Sequence, residues 1–306
     1  MRKIAIICLS GLDNFLDWAD RLKPEYEVRK FLVNNSHDIF EALNWGEIIW
    51  LEWANESAIE ALKIFENMNH PVKLNKKIVC RLHSYEALSG YVPQLKTEWI
   101  DRMVFVSEYL REFVNPACNS VVIPNGVDID SIPFLDPNPG FDIAVVGGIS
   151  HKKNPAMVLQ ILCKLDSRFK IHWAGAFQEP RYEVYLKHMV REMGLTDNVI
   201  FYGHVSDMNE FWKGKNYLLS TSVWEAHNYS IMEAMARGIQ PVIHNFPGAD
   251  RLYIEEWLFN ETGRAVLMFE KIEKYRDNMG LRNYVIENGW TLEYQVNKIK
   301  EMLNNV

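Results

Sequence analysis

Glu225 and Glu233 stand with seven residues between them in the stretch Ser222–Gly238, which runs on into Gln240-Pro241-Val242-Ile243. The pattern reads as a loop, a helix, a glycine stop and a strand. A carboxylate in the loop before such a helix, Glu225 here, accepts hydrogen bonds from the hydroxyl groups of a bound polyol. The helix start, at Asn228, Tyr229 and Ser230, offers free backbone N–H groups that hold a phosphate. Gly238 fits the position just past the helix. Ser230 and Glu233 also have the spacing of a capping box, which gives Glu233 a second, purely structural reading.

These residues need a scaffold, and the hydrophobic pattern describes one. The short, nearly continuous apolar run Ile4–Leu9 reads as a strand buried on both faces, and further strands are read at Val28–Val33, Ile48–Leu51, Ile78–Leu82, Met103–Val106 and Val121–Ile123. Helices are expected near Asn14–Leu22, Ile39–Asn44 and Glu56–Asn67. The stretch Phe134–Gly140, with two prolines and a glycine, reads as an interdomain linker. Strands then resume at Ile143–Val146, Ile171–Ala174, Val199–Tyr202, Tyr217–Leu219 and Val242–Ile243, with helices at Ala156–Leu165 and Glu183–Met193. Strands separated by helices argue for parallel sheets with helices on both faces. The expectation is an α/β protein of two Rossmann-like, doubly wound domains facing across a cleft. The domains would cover residues 1–136 and 137–285, and a last helix in 286–306 would return to the first.

On this scaffold three further places invite attention. His83 ends the fourth strand, where it serves either a ligand or a structural hydrogen bond. Ser10-Gly11 ends the first strand, as a ligand-approaching loop or an ordinary turn. Asp128-Ile129-Asp130 spells the Asp-x-Asp of metal-dependent transferases, but at a domain junction it reads better as a turn or cap.

Composition narrows the classes. A chain of 306 residues with 48% hydrophobic and 24% charged residues has the makeup of a globular protein long enough for two domains. Its formal net charge of -7 argues against a general nucleic-acid binder. The short stretch Lys73–Lys77 leaves room for peripheral membrane contact, against a plainer reading as a solvated loop before a strand. Cys8, Cys80, Cys118 and Cys163 lack the spacing of a metal site, so neither a structural metal nor a disulfide is expected. The apolar run after Met1-Arg2-Lys3 is too short for a signal peptide, and no run is long enough to span a membrane. The reading is a soluble, cytoplasmic protein.

With its flanks, the Glu225–Gly238 stretch resembles family 4 glycosyltransferases, retaining enzymes of the GT-B fold. Glu233-Ala234-Met235-Ala236-Arg237-Gly238 matches the second half of their two-glutamate motif. Val122–Asp128 resembles the end of their N-terminal domain. Glu192–Val205 resembles the helix, strand and loop that receive the nucleotide base. Gly147–Pro155 resembles their phosphate loop, with Lys153 at the lysine position. The likeness is strong from about Val121 to Val242 and looser upstream. It implies that Glu225 holds the donor sugar, Glu233 the ribose, Val205 the base and Lys153 the diphosphate. It further implies that His83 lies near the donor sugar and Ser10-Gly11 near phosphate and acceptor. Two departures stand out. Gly148 occupies the position of an arginine, so one cation of the usual pair is missing unless Lys152, Arg251 or another residue substitutes. Ala226 and Asn228 replace glycines after the first glutamate.

The resemblance implies transfer of a sugar from a nucleoside-diphosphate donor to a hydroxyl acceptor, with retention and without cofactor or obligatory metal. The acceptor would be a glycan, a lipid-linked glycan or a small molecule. Two other readings stay open: a non-catalytic nucleotide-sugar-binding partner of another transferase, and a nucleotide-sugar epimerase or hydrolase.

Overall fold

The computed structural model describes residues 1–12, 16–69, 73, 75–272 and 277–306. Asn14, where the first helix was expected to start, and Leu74 of the lysine stretch lie outside the described residues. The chain divides into two compact units, Met1–Gly126 with Leu292–Val306, and Val127–Thr291.

The first unit is built on β1 (Lys3–Leu9), β2 (Glu27–Val33), β3 (Ile48–Glu52), β4 (Lys77–Leu82), β5 (Arg102–Phe105) and β6 (Ser120–Val122). They pair in the order β2-β1-β3-β4-β5-β6, all parallel. All five residues of β3 are buried, as a central parallel strand covered on both faces requires. Edge strand β2 instead exposes Glu27, Arg29, Lys30 and Leu32, a charged rim that discourages pairing with other chains. The helices Ser36–Trp45 and Glu56–Asn67 start on the side chains of Asn35 and Asn55, which accept from first-turn N–H groups. Ile4, Ile6, Trp18, Trp50 and Val104 form a core with Val296, Ile299 and Leu303 of the helix Leu292–Asn304. Burying each of these aliphatic side chains contributes roughly 1.5–3 kcal/mol, which holds the C-terminal helix in the first unit.

The lysine stretch serves this unit's own structure. Lys76 Nζ donates to the carbonyl of Gly46 at 2.6 Å, just past the helix Ser36–Trp45. Lys77 Nζ pairs with Asp101 Oδ1 at 2.9 Å. Among the described residues, no helix is long and apolar enough to cross a membrane.

The second unit carries β7 (Asp142–Val146), β8 (Lys170–Ala174), β9 (Val199–Gly203), β10 (Tyr217–Ser220), β11 (Gln240–His244) and β12 (Leu258–Phe259). Their order is β12-β11-β10-β7-β8-β9, again all parallel. Alternate residues face opposite cores. Ile143, Val145, Ile171 and Trp173 pack with Phe269 on one face, and Ala144, Leu218 and Ile243 with Ile231 and Met235 on the other.

The division between units falls after Gly126, upstream of the proline-rich stretch, because that stretch is bonded to the second unit. Leu135 N donates to Arg237 O at 3.0 Å, and Asn278 Nδ2 reaches Asp136 Oδ1 at 3.0 Å. Asn216 Nδ2 holds Asn138 O at 2.8 Å.

In the second sheet the strand order reverses between β7 and β10. The loops leaving their carboxyl ends flank this switch point, the place where doubly wound sheets hold ligands.

Candidate active site

Those two loops carry the charged candidate residues. After β7 the chain passes Gly147, whose φ of +125° is poorly tolerated by other residues. A Cβ at Gly147 would lie 2.9 Å from Lys153 Cε, so glycine also clears the path of that side chain. A 3-10 turn, His151–Lys153, follows. It is fastened to the loop after β10 at two points: Val223 N donates to Lys152 O at 2.9 Å, and Thr221 Oγ1 to Lys153 O at 2.7 Å. The fastening brings Lys153 Nζ to 2.6 Å from Glu225 Oε1 and Lys152 Nζ to 3.2 Å from Oε2. Burial pushes the Glu225 carboxyl up, but Lys153 and Lys152, with the Ser222 side chain, outweigh it and hold it below the ordinary glutamate range. Glu225 is therefore an ionised, buried carboxylate.

The helix Tyr229–Ala236 starts four residues later. Its N-cap is Asn228, whose Oδ1 accepts from Ser230 N at 3.0 Å and Ser230 Oγ at 2.8 Å. This corrects the capping-box reading. Ser230 lies inside the first turn, which leaves Glu233 too deep in the helix to reach back to the cap. Asn228 is extended and its short amide reaches the first-turn N–H, so it takes the cap ahead of the serine. Asn228 Nδ2 is buried and has no hydrogen-bond partner among the described residues. Glu233 is half-buried, and burial raises its carboxyl above the ordinary value against the pull of Arg237. Val205, just after β9, and Tyr229 pack on the core containing Ile231 and Met235.

In the first unit, Ser10 and Gly11 are exposed after β1, and Gly11 has a φ of +87°. His83 follows β4 and is 6% exposed. Its Nε2 lies 2.8 Å from Glu52 Oε1, at the end of the neighbouring strand β3. The Trp53 ring packs against it, tilted by 35° with centroids 4.0 Å apart. Arg81 pairs with the same Glu52 and with Asn125. Glu86 Oε1 accepts from His83 N at 3.2 Å and Ala54 N at 3.1 Å. A structural hydrogen bond is therefore part of what His83 does. Glu52, Arg81 and Glu86 were not expected from the sequence. The one signal was a carboxylate ending an otherwise apolar strand.

Within the second unit the structure thus joins Lys153 to Glu225 directly and sets Asn228, Tyr229 and Ser230 at the helix start just beyond. Ser10, Gly11 and His83 belong to the first unit, at the carboxyl ends of β1 and β4. Asp128-Ile129-Asp130 forms a turn, with Ser131 N and Oγ on Asp128 O and Arg282 Nη2 on Ile129 O.

Two doubly wound parallel sheets, the second with lysines and a buried glutamate at its switch point, make up the GT-B architecture. The chain belongs to the family Glycosyl transferases group 1, whose model matches residues 132–291. Among solved structures, Anabaena HepE in complex with UDP and glucose matches over 100% of both chains, with a TM-score of 0.81 and 16% identity. Sucrose-phosphate synthase from Thermosynechococcus elongatus matches over 100% of this chain and 99% of its own, with a TM-score of 0.80 and 15% identity. The lipopolysaccharide core biosynthesis mannosyltransferase LpsB of Rhizobium meliloti (strain 1021) is 25% identical over 120 residues. That match spans 38% of this chain and 34% of LpsB, about a third of that relative's length.

Proposed function

We propose that this chain is a glycosyltransferase that moves a sugar from a nucleoside-diphosphate donor to a hydroxyl acceptor with retention of configuration. The observation that carries the reading is the ionised Glu225, held by Lys153 at 2.6 Å beside the start of the helix Tyr229–Ala236. Cations and N–H groups there suit a diphosphate, and a neighbouring carboxylate suits sugar hydroxyls. Family membership supports the same reaction, and HepE, a protein of the same fold, has been solved with UDP-glucose.

In this reading the bond between the anomeric carbon and the β-phosphate oxygen breaks, and its electron pair leaves with the diphosphate. Lys153 and the helix start, with Asn228, Tyr229 and Ser230, stabilise the charge that develops. The acceptor hydroxyl forms the new bond on the same face, and its proton passes to the departing phosphate. Glu225 orients sugar hydroxyls, Glu233 takes the ribose and Val205 borders the base. His83 acts near the donor sugar, and Ser10-Gly11 near phosphate and acceptor. The lysines supply positive charge to the leaving group without an obligatory metal. The acceptor is a glycan, a lipid-linked glycan or a small molecule.

The test is a thermal-shift screen of nucleotide sugars, UDP-glucose included, followed by assay of nucleoside-diphosphate release with hydroxyl acceptors. Acceptor-dependent release, with product anomers matching the donor, is the expected result. Free monosaccharide formed equally well without acceptor would make the protein a hydrolase, and isomerised donor an epimerase. Binding without turnover would make it a non-catalytic partner.

A further inference from the structure

Gly148, where the resemblance puts an arginine, leaves the leaving-group site one cation short. We propose that Lys152 supplies that cation, and that Glu225 is the internal counter-anion of a two-lysine clamp, displaced when the donor's diphosphate binds. The inference rests on the nucleotide-sugar reading and adds a residue and an exchange to it.

Three observations carry it. The first is that the space beside Gly148 is filled. A Cβ built there would lie 2.5 Å from Gln178 Nε2 and 2.7 Å from its Cδ. The Gln178 backbone is bonded by its N–H to Ile149 O at 3.0 Å, so its side-chain amide alone would have to move. A side chain at position 148 has to displace that amide before it can reach a ligand.

The second is the convergence of two neighbours. Successive residues of a 3-10 turn point about 120° apart. Lys152 and Lys153 nevertheless bring their ammonium groups to one carboxylate, each on a different oxygen, Oε2 and Oε1. The turn's carbonyls are fastened by Val223 N and Thr221 Oγ1, so the backbone holds the clamp whether or not the ion pairs are made.

The third is access. The side chains of Lys152 and Lys153 are 33% and 21% exposed, whereas that of Glu225 is 9% exposed. A diphosphate arriving from solvent meets the ammonium groups before the carboxylate. Once the diphosphate oxygens take both lysines, Glu225 is released to accept from sugar hydroxyls.

Isothermal titration of the full chain with UDP, GDP and ADP, each beside its monophosphate, tests the clamp. Lys152→Ala is expected to weaken the tightest-binding diphosphate about tenfold, the loss of one charge-assisted contact, and its monophosphate much less. Glu225→Gln is expected to tighten the same diphosphate severalfold, because its lysines no longer serve an internal anion. Gly148→Arg with Gln178→Ala, placed on Lys152→Ala, is expected to restore affinity. Melting curves and Lys152→Arg control for folding, and the conservative variant is expected to keep most of the affinity. If a diphosphate binds the wild type and binds Lys152→Ala equally well, the clamp is wrong and the nucleotide-sugar reading stands. If Glu225→Gln weakens the free diphosphate, the counter-anion role is wrong. If no diphosphate binds the wild type, the nucleotide-sugar reading falls and the clamp with it.

Discussion

Glu52 Oε1 lies 2.8 Å from His83 Nε2, joining the carboxyl ends of β3 and β4 where the Trp53 ring packs on the imidazole. The same carboxylate receives Trp50 Nε1 on its other oxygen at 2.7 Å and faces Arg81. Burial pushes Glu52 up, yet Arg81 and His83 bring it below the ordinary glutamate range, so it stays ionised in a dry setting.

A depressed carboxylate contributes stability that is present above its unfolded value and lost as pH falls through the folded one. Glu52→Gln leaves Arg81 without its anion and is expected to cost roughly 3–5 kcal/mol at neutral pH. The cost should shrink on acidification below the glutamate range. Urea denaturation near neutrality and near pH 3 checks the sign; a cost that grows with acid would contradict it.

Glu86 behaves oppositely. Burial raises its carboxyl above the ordinary value, against the pull of His83. A raised group's contribution is fully present below its unfolded value and is lost as pH rises through the folded one. Glutamine in its place can still accept from Ala54 N and His83 N without ionising. Glu86→Gln should therefore flatten the loss of stability between the ordinary glutamate value and neutrality. The readout is the pH dependence of the melting temperature for variant and wild type.

Asn228 and Glu233 separate capping from binding. Asn228→Ala should cost about 1 kcal/mol of stability, as a lost N-cap does. Glu233→Ala removes no cap. If Glu233 takes the ribose, the variant should lose nucleotide affinity beyond any change in its melting curve. Calorimetry beside thermal melts distinguishes the two, and unchanged affinity would remove Glu233 from the donor site.

Lys153 and Gly147 form a further pair. If its charge is used most as the diphosphate departs, Lys153→Ala should lower turnover by about 100-fold or more with the fold intact. Gly147→Ala places a Cβ 2.9 Å from Lys153 Cε at a φ of +125°. It should cost roughly 1–3 kcal/mol in backbone strain and lower turnover as well. Single-turnover rates beside melting curves check both, and equal rates for Lys153→Ala and wild type would sink the role of Lys153.

Much of the architecture was legible in local pattern. Runs rich in apolar residues located eleven strands, within a residue or two at most ends, because the central strands are covered on both faces and the edge strands still turn alternate residues to a core. The twelfth, Leu258–Phe259, is two residues long and leaves no periodic signal. The helices Thr262–Ile272 and Asn278–Glu287 also escaped the reading, and Asn228 was not recognised as the cap behind Ser230. The two-glutamate stretch and the lysine loop were readable as motifs, since each is contiguous in the chain.

What the sequence determined by itself was therefore the alternation of strand and helix, the family motif and the charge types within it. Tertiary structure alone decided which of those charges meet. Lys153 and Glu225 are 72 positions apart, Glu52 and His83 31 apart, and the place beside Gly148 is filled from Gln178. Local propensity reaches only a few residues along the chain. A charge buried between loops takes its protonation from partners that parallel crossovers bring to one end of a sheet, and those partners carry no mark of one another until the sheet forms.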